Sequence, residues 1–532
     1  MTARYYIGFD LGTHQTKICI MDALNSDDKF YEFMEFETPQ KGSSPLFPSI
    51  VQINEDKTVS YGYVDPCLQM ADGAKPQKPM LQEMPSKPRL PDFEEPNYPE
   101  EPAIKWMDKL RALLHFKTSH EVWEQECKTI SDKARKEWRE KCDMINSNYA
   151  SQCDSIKNNN EEKLEHYRKE LAKWDEEGDG EYVFRYFKQK AFSGKGIWES
   201  ELFSAEEVTV WYIAYILLLI KGKIGDAFVV QFGVPIGNYN SDDDKQIKER
   251  AYCLYVAAYH LYKKYADVNA YREASYEDLR EGTQIATYLP EEEKEIFDDL
   301  PEAYAGLFPL TDCGYIKGSF NLLVDIGGGT TDMALFCLDS KKNQPNVMMM
   351  ESIQKGLNYI FEKSSDGTLK SIRKMQEKFF NDSSSSIFTD SIEEYQKELD
   401  TLCRELSDRL WKEMNRTKLP KNNLIQALKN QRVIYCGGGG VYEILHQDFP
   451  FYTDVKCISK ELLKINNLIN EDNIPDNLYP ILATSYGLAS FQKSYPGEEV
   501  KCSTIEEVFM NMFSDDTDES HRYDFEYGMT DT

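Results

Sequence analysis

The sequence predicts an α/β protein, and three glycine-rich stretches carry that prediction. Residues Leu322 to Phe336 read LLVDIGGGTTDMALF, an apolar run, a polar glycine break and a second apolar run, which is the pattern of strand, tight turn and strand. Tyr5 to Ile20 (YYIGFDLGTHQTKICI) repeats the plan: with Asp10 set on Asp325, Leu11 falls on Ile326, Gly12 on Gly327, Thr16 on Thr331 and Lys17 on Asp332. Val433 to Gly440 (VIYCGGGG) again puts glycines after a short apolar strand, ahead of a helix-like VYEIL.

Three consecutive glycines leave a turn without Cβ atoms, so its backbone N–H groups can close around an anion. Asp325 and Asp332 flank that turn, and a carboxylate about 4 Å from a phosphate repels it by several kcal/mol at an effective dielectric near 20. A divalent cation resolves the conflict, because Mg²⁺ takes oxygen ligands and bridges carboxylates to nucleotide phosphates. Taken alone, the turn also reads as a glycine-rich hairpin with solvated aspartates; the second copy strengthens the metal-nucleotide reading. None of the three stretches is a Walker loop or a GxGxxG fingerprint.

In this order and spacing, FDLGTHQTK, VDIGGGTTD and YCGGGG resemble the phosphate-1, phosphate-2 and adenosine motifs of the actin, hexokinase and DnaK-type chaperone ATPase superfamily. The DnaK-type ATPase domain is the most similar branch, supported by Phe47 to Tyr63, Phe228 to Gly237 and Ile481 to Ser490. The resemblance implies a two-lobed actin-like fold of duplicated ribonuclease-H-like domains, with ATP and Mg²⁺ in the cleft. It also implies roles. Asp10 and Asp332 hold the metal through its water shell, and Asp325 orients the attacking water. Thr13 and Thr330 contact phosphates, Gly12, Gly327, Gly328 and Gly329 offer backbone amides, and Gly438 and Gly439 let the chain lie against the nucleoside, with His14 and Tyr442 completing the contacts. The chain departs from the family at two places. The lysine-arginine helix motif that contacts adenine is missing, and Val441 and Tyr442 stand where an arginine usually follows the glycines. The family's catalytic lysine has several candidates: Lys105, Lys109, Lys117, Lys188 and Lys190.

Length and charge set the bounds. The 532 residues suffice for two lobes with insertions, and a net charge of −29 argues against general affinity for nucleic acid or anionic membrane surfaces, while leaving room for a local basic patch. Twelve cysteines without a CxxC pair read as reduced thiols in a cytoplasmic protein. The first strand begins almost at Met1, which leaves no room for a signal peptide, and Val208 to Ile220, the most apolar run, is short of the roughly 20 residues that span a bilayer. It reads as a buried helix started by a Ser204/Glu207 capping box.

Taken in order, residues 1–300 form the first lobe, 301–490 the second, and 491–532 a C-terminal amphipathic helix and acidic tail. Eight prolines between Pro76 and Pro102 place an extended arm or a disordered linker at 74–103. The charged stretch 121–175, with Trp123, Trp138, Tyr149, Tyr167 and Trp174 as sparse anchors, predicts a helical insertion, in the form of an antiparallel hairpin turning near Asn146 to Asn148 or Asn158 to Asn160. Glu302 matches a family glutamate between the lobes. Near the end, Ser503 and Glu506 predict a capping box, with Ile505, Val508, Phe509, Met512 and Phe513 on one face that docks on the body. About forty residues after Ser490 are too few for a chaperone's peptide-binding domain.

The expected function is slow ATP hydrolysis that switches a protein partner, bound through the insertion or the C-terminal helix, with no nucleic acid and no membrane involved. Three alternatives stay open: a small-molecule kinase, an actin-like filament protein, and a scaffold that binds nucleotide without hydrolysis.

Overall fold

A computed structural model describes residues 4–24, 30–70, 79–103, 106–114, 116–177, 182–198, 200–237, 241–283, 296–312, 320–339, 344–417, 432–446, 468–491, 500 and 502–508. The protein is of mixed α/β class and divides into two compact units, Gly73–Gly178 and the remainder.

The smaller unit pairs an extended strap with two helices, α1 (Trp106–Leu113) and α2 (Ser119–Glu177). The expected hairpin is absent: α2 is one helix of 59 residues that runs through both asparagine clusters. The sequence between Ser119 and Glu177 has no glycine or proline to break it, and the antiparallel partner is the proline-rich stretch instead. The Trp123 indole donates to Pro99 O (2.8 Å), the Trp138 indole to Pro91 O (2.9 Å) and the Tyr149 hydroxyl to Pro85 O (3.2 Å), while Asn160 exchanges two bonds with the Gln82 backbone. The spacing works because rises match: eight strap residues at about 3.1 Å cover about 25 Å, and the fifteen helical residues from Trp123 to Trp138 at about 1.5 Å cover about 22 Å. Proline carbonyls have no ladder partner, so the helix's aromatic N–H and O–H groups satisfy them. The strap at 79–103 is thus extended, as one of the two readings has it; 74–78 lie outside the described residues.

In the larger unit, strands β1 (Tyr5–Leu11), β2 (Gln15–Asp22) and β3 (Phe30–Phe33) form a meander with β4 (Phe47–Pro48) paired to β2. The small sheet of β5 (Val51–Ile53), β6 (Val59–Tyr61) and β7 (Val183–Phe184) leads into helix α3 (Phe187–Ser193). Helix α4 (Ala205–Ile224) begins at the predicted Ser204/Glu207 capping box and buries all of Val208 to Leu218; among the described residues no helix is long and apolar enough to cross a membrane. Strand β8 (Phe228–Val234) joins β1 in parallel, helix α5 (Asp242–Tyr262) follows, and β9 (Phe297–Pro301) extends the sheet before helix α6 (Glu302–Ala305).

The plan then recurs. Strands β10 (Asn321–Ile326) and β11 (Thr331–Asp339) form an antiparallel hairpin flanked by β12 (Gln344–Ile353), and helices α7 (Leu357–Lys363), α8 (Leu369–Asn381) and α9 (Thr389–Arg416) follow. Strand β13 (Arg432–Cys436) joins β10 in parallel, as β8 joins β1. The four glycines after β13 are themselves helical, α10 (Gly437–Gly440), whereas the VYEIL that reads as helix-forming makes only a 3₁₀ turn at Glu443–Leu445.

Helix α11 (Tyr479–Ser490) packs against β1, β2 and α6 and shares one core cluster with Leu323 and Ala334 of the second hairpin. Two glycines permit the close approach: a Cβ on Gly8 would lie 2.0 Å from Ser485 O, and one on Gly487 1.8 Å from Ala305 O. At the C-terminus, Ile505 and Val508 are buried against the second hairpin's sheet and helices, as docking requires. The capping box lies one residue later than expected, between Thr504 and Glu507, because the Ser503 hydroxyl is engaged by Asn346. Phe509, Met512, Phe513 and the acidic tail lie outside the described residues.

Gly8→Ala and Gly487→Ala therefore lower stability by about 1–3 kcal/mol or more, the cost of overpacking against backbone that cannot give way. Gly222→Ala, with nothing within 4 Å of its new methyl, leaves stability unchanged or raises it by up to about 1 kcal/mol. Urea-denaturation midpoints of the three variants check the contrast.

Candidate functional site

The two hairpins have the same register at their turns. Asp10 stands across from Lys17 as Asp325 stands across from Asp332, and Leu11 across from Thr16 as Ile326 across from Thr331. The turns face each other closely. A Cβ on Gly328 would meet the His14 ring and Thr13 Cβ at 3.1 Å, and one on Gly329 would meet Thr13 Oγ1 at 2.9 Å. The third glycine turn closes over Asp325: Gly437, at φ +76°, would put a Cβ 2.1 Å from Asp325 Oδ1. Only glycine fits there, for both backbone and space.

Between these turns lies a cavity of about 410 Å³, a size suited to a small-molecule ligand. Asp10, Gly12, Thr13, His14, Gly327, Gly328, Thr330, Asp325, Asp332, Gly438 and Tyr442 all line it, so most residues singled out from the sequence converge. Gly329 faces Gln189 and Thr13 instead. Gly439 does not face the cavity either: its missing Cβ makes room for Ile326, whose Cγ2 would be 2.4 Å away, so packing and not ligand approach requires that glycine.

Residues not assigned from the sequence complete the site. Lys17 Nζ pairs with Asp10 Oδ2 at 2.6 Å, and Lys188 Nζ, on α3, pairs with Glu302 Oε1 at 2.5 Å; both lysines line the cavity. Of the candidate lysines, Lys188 lines the cavity, and Lys105 lies outside the described residues. The register of the hairpin repeat is the sequence signal for Lys17, which occupies the place of Asp332. No local pattern marks Lys188, because its approach to Glu302 spans 114 residues.

The electrostatics follow from burial. Four carboxylates, Asp10, Asp325, Asp332 and Glu302, are buried at the cavity, and among the described residues two lysines, Lys17 and Lys188, line it beside them. Burial, with Glu302 and Asp10 close by, pushes Asp325 up to about 6, although Thr484 Oγ1 donates to its Oδ2 at 3.2 Å. Burial and Glu302 push Asp332 well above the usual carboxylate range; its Oδ2 accepts from Thr330 Oγ1 at 3.2 Å, and among the described residues its Oδ1 has no hydrogen-bond partner. Glu302 is raised by burial against the pull of Lys188. Burial lowers Lys188, but Glu302 and Asp10 outweigh it and leave the ammonium more firmly protonated than usual. A buried carboxylate with one bare oxygen fits a divalent cation. Among the described residues no three His, Cys, Asp or Glu side chains converge into a direct metal cage, so the donor set suits an ion that keeps most of its waters.

The other end of the cavity is aromatic. The rings of Phe380, at the end of α8, and Tyr442, just after α10, are near parallel (11°) with centroids 6.4 Å apart, and Phe380 is 47% exposed. Gln376, one turn earlier on α8, also lines the cavity and accepts from the Tyr186 hydroxyl. Between this wall and the phosphate-type turns sits His14, stacked on Phe361 and bonded through Nε2 to Asn358 Oδ1 at 2.7 Å. Burial, with Lys17 and Arg185 nearby, lowers His14 to about 4 despite that bond, so its ring is neutral near pH 7.

No protein-family model matches the chain, and no curated protein matches its sequence.

The neutral His14 makes stability pH-dependent. Its folded pKa lies below the unfolded value of about 6.5, so the unfolded chain binds the extra proton; the contribution is full above about pH 6.5 and is lost as pH falls toward 4. At most about 3 kcal/mol is at stake, since each tenfold difference in proton affinity between the folded and unfolded chain is worth about 1.4 kcal/mol. His14→Gln is expected to flatten the wild-type stability slope between pH 7 and 4, measured from urea midpoints, by up to that amount.

Proposed function

We propose that the larger unit is a two-lobed, actin-like ATPase of the DnaK type, built from duplicated ribonuclease-H-like domains, that binds Mg-ATP and hydrolyses it slowly. The observation that carries this reading is the repeated hairpin register, Asp10↔Lys17 and Asp325↔Asp332, around one cavity. Nucleotide state would bias the approach of the two sheets and so the binding of a protein partner, in a cytoplasmic setting.

In this reading the turn amides of Gly12, Gly327 and Gly328 and the hydroxyls of Thr13 and Thr330 hold phosphate oxygens. Lys17 and Lys188 neutralise phosphate charge, each aimed by its carboxylate partner, Asp10 or Glu302. Mg²⁺, when bound, supplies charge neutralisation at the phosphates and would be held by Asp332 and, through water, by Asp10. Asp325, raised toward neutrality and oriented by Thr484, positions the attacking water and can accept its proton. The nucleobase stacks on Phe380 and Tyr442, which take over from the cationic side chains missing in this sequence.

Neutralising the aspartates separates their roles. Asp325→Asn keeps most Mg-ATP affinity and loses turnover by about 10²-fold, whereas Asp332→Asn weakens metal-dependent binding as well. Calorimetry with and without Mg²⁺, beside phosphate release, reads both. Equal losses in both variants would mean that the roles are misassigned, and wild-type protein that binds ATP without phosphate release would favour the scaffold.

The aromatic wall has its own test. Phe380→Ala and Tyr442→Ala each weaken ATP binding by about 5- to 100-fold, the usual range for one base–aromatic stack, and leave binding of inorganic triphosphate unchanged. Loss of both ligands to the same degree would place the base elsewhere.

A further inference from the structure

The excess of acid in this chain has a local exception. Between Pro102 and Ser119 the sequence holds Lys105, Lys109, Arg111 and Lys117 against the single acid Asp108, and α1 occupies the middle of that stretch. At about 100° per residue, Trp106, Met107, Leu110, Leu113 and Leu114 fall within about 120° of the helix circumference. All five are exposed, Trp106 at 71% and Leu113 at 81%, and Phe116 beyond them is exposed too.

A helix in a folded unit normally turns its apolar stripe inward and its charges outward. Here the order is reversed. Asp108, on the far side of the helix, is the buried residue of α1 and accepts from both Ser119 N (2.9 Å) and Ser119 Oγ (2.6 Å), which fastens that side to the start of α2. The apolar stripe is left facing outward, with exposed Lys109 on one border and exposed Arg111 on the other. At the start of α2, Glu121 takes the Thr118 N–H, and Glu101 and Glu124 flank His120.

We propose that this face of α1 lies on an anionic lipid surface, with the apolar stripe at the acyl boundary and Lys109 and Arg111 against the headgroups. The stripe offers one polar atom, the Trp106 indole N–H, and tryptophan is a residue of membrane interfaces. Cations on both borders can lay their stems along the stripe and extend their heads sideways to phosphate. Eight residues are few, so binding is reversible and leans on charge; each basic residue near an anionic surface contributes about a factor of five.

The test uses the full chain, floated at low salt with phosphatidylcholine vesicles alone or with about 30% phosphatidylserine. Expected are flotation with the anionic vesicles only, release near 1 M salt, where the screening length falls to about 3 Å, and a blue shift of emission that Trp106→Phe abolishes. Lys109→Glu with Arg111→Glu should lower binding at least tenfold and Leu110→Asp with Leu113→Asp abolish it, while Lys136→Glu, exposed on α2, has no effect. Circular dichroism shows whether α2 stays intact in each variant. Equal flotation with neutral vesicles, or none with anionic ones, overturns the proposal. So does a dimer in sedimentation that the leucine variants dissociate without any flotation, which would identify a second copy as the occupant.

Discussion

The burial of four carboxylates around one small cavity is the constraint on which the larger unit depends. Asp10, Asp325, Asp332 and Glu302 come from four different segments, and bringing them out of water together is costly unless each is paired or hydrogen-bonded. Two pairs are made inside the chain, Lys17 with Asp10 and Lys188 with Glu302. The remaining two aspartates respond by holding their protons more tightly, and among the described residues one keeps an oxygen without a partner. Carboxyls in this condition give up their protons more readily beside a positive charge, so a cation bound there would be linked to proton release.

Close backbone packing makes the convergence possible. The two hairpin turns meet at distances that would crowd a Cβ, and the Gly437 turn and helix α11 approach at distances that forbid one. The glycines divide between two jobs. Gly437 and Gly438 face the cavity, whereas Gly8, Gly439 and Gly487 serve packing. A row of glycines in the sequence does not say which job each one has, since both demand the same absence of a side chain.

The smaller unit solves a different problem. A charged helix as long as α2 has too few apolar residues to bury against a like partner, and its stability as an isolated helix would rest on local pairs worth a few tenths of a kcal/mol each. A proline-rich strap suits such a helix, because it is already extended and its unpaired carbonyls accept from widely spaced Trp, Tyr and Asn side chains. The pattern that reads as a helical hairpin is therefore a helix whose partner lies upstream in the chain. Sparse aromatic anchors were visible in the sequence; what they bond to was not.

By itself the sequence determined the elements whose cause is local. Alternation of apolar runs with glycine turns set the two hairpins and their shared register, a Ser–Glu spacing started α4, and the unbroken apolar run from Val208 was long enough only for a buried helix. It also brought forward the three aspartates, because a repeated motif places equivalent residues at equivalent points. Tertiary structure decided the rest. It brought Lys188 and Phe380 to the cavity wall, moved the last capping box to Thr504 and replaced a helical hairpin with a strap and a single helix. Each of these depends on contacts between residues far apart in the chain, and such contacts leave no periodicity or spacing in the sequence, because a pairing energy acts on distance in space and not along the backbone.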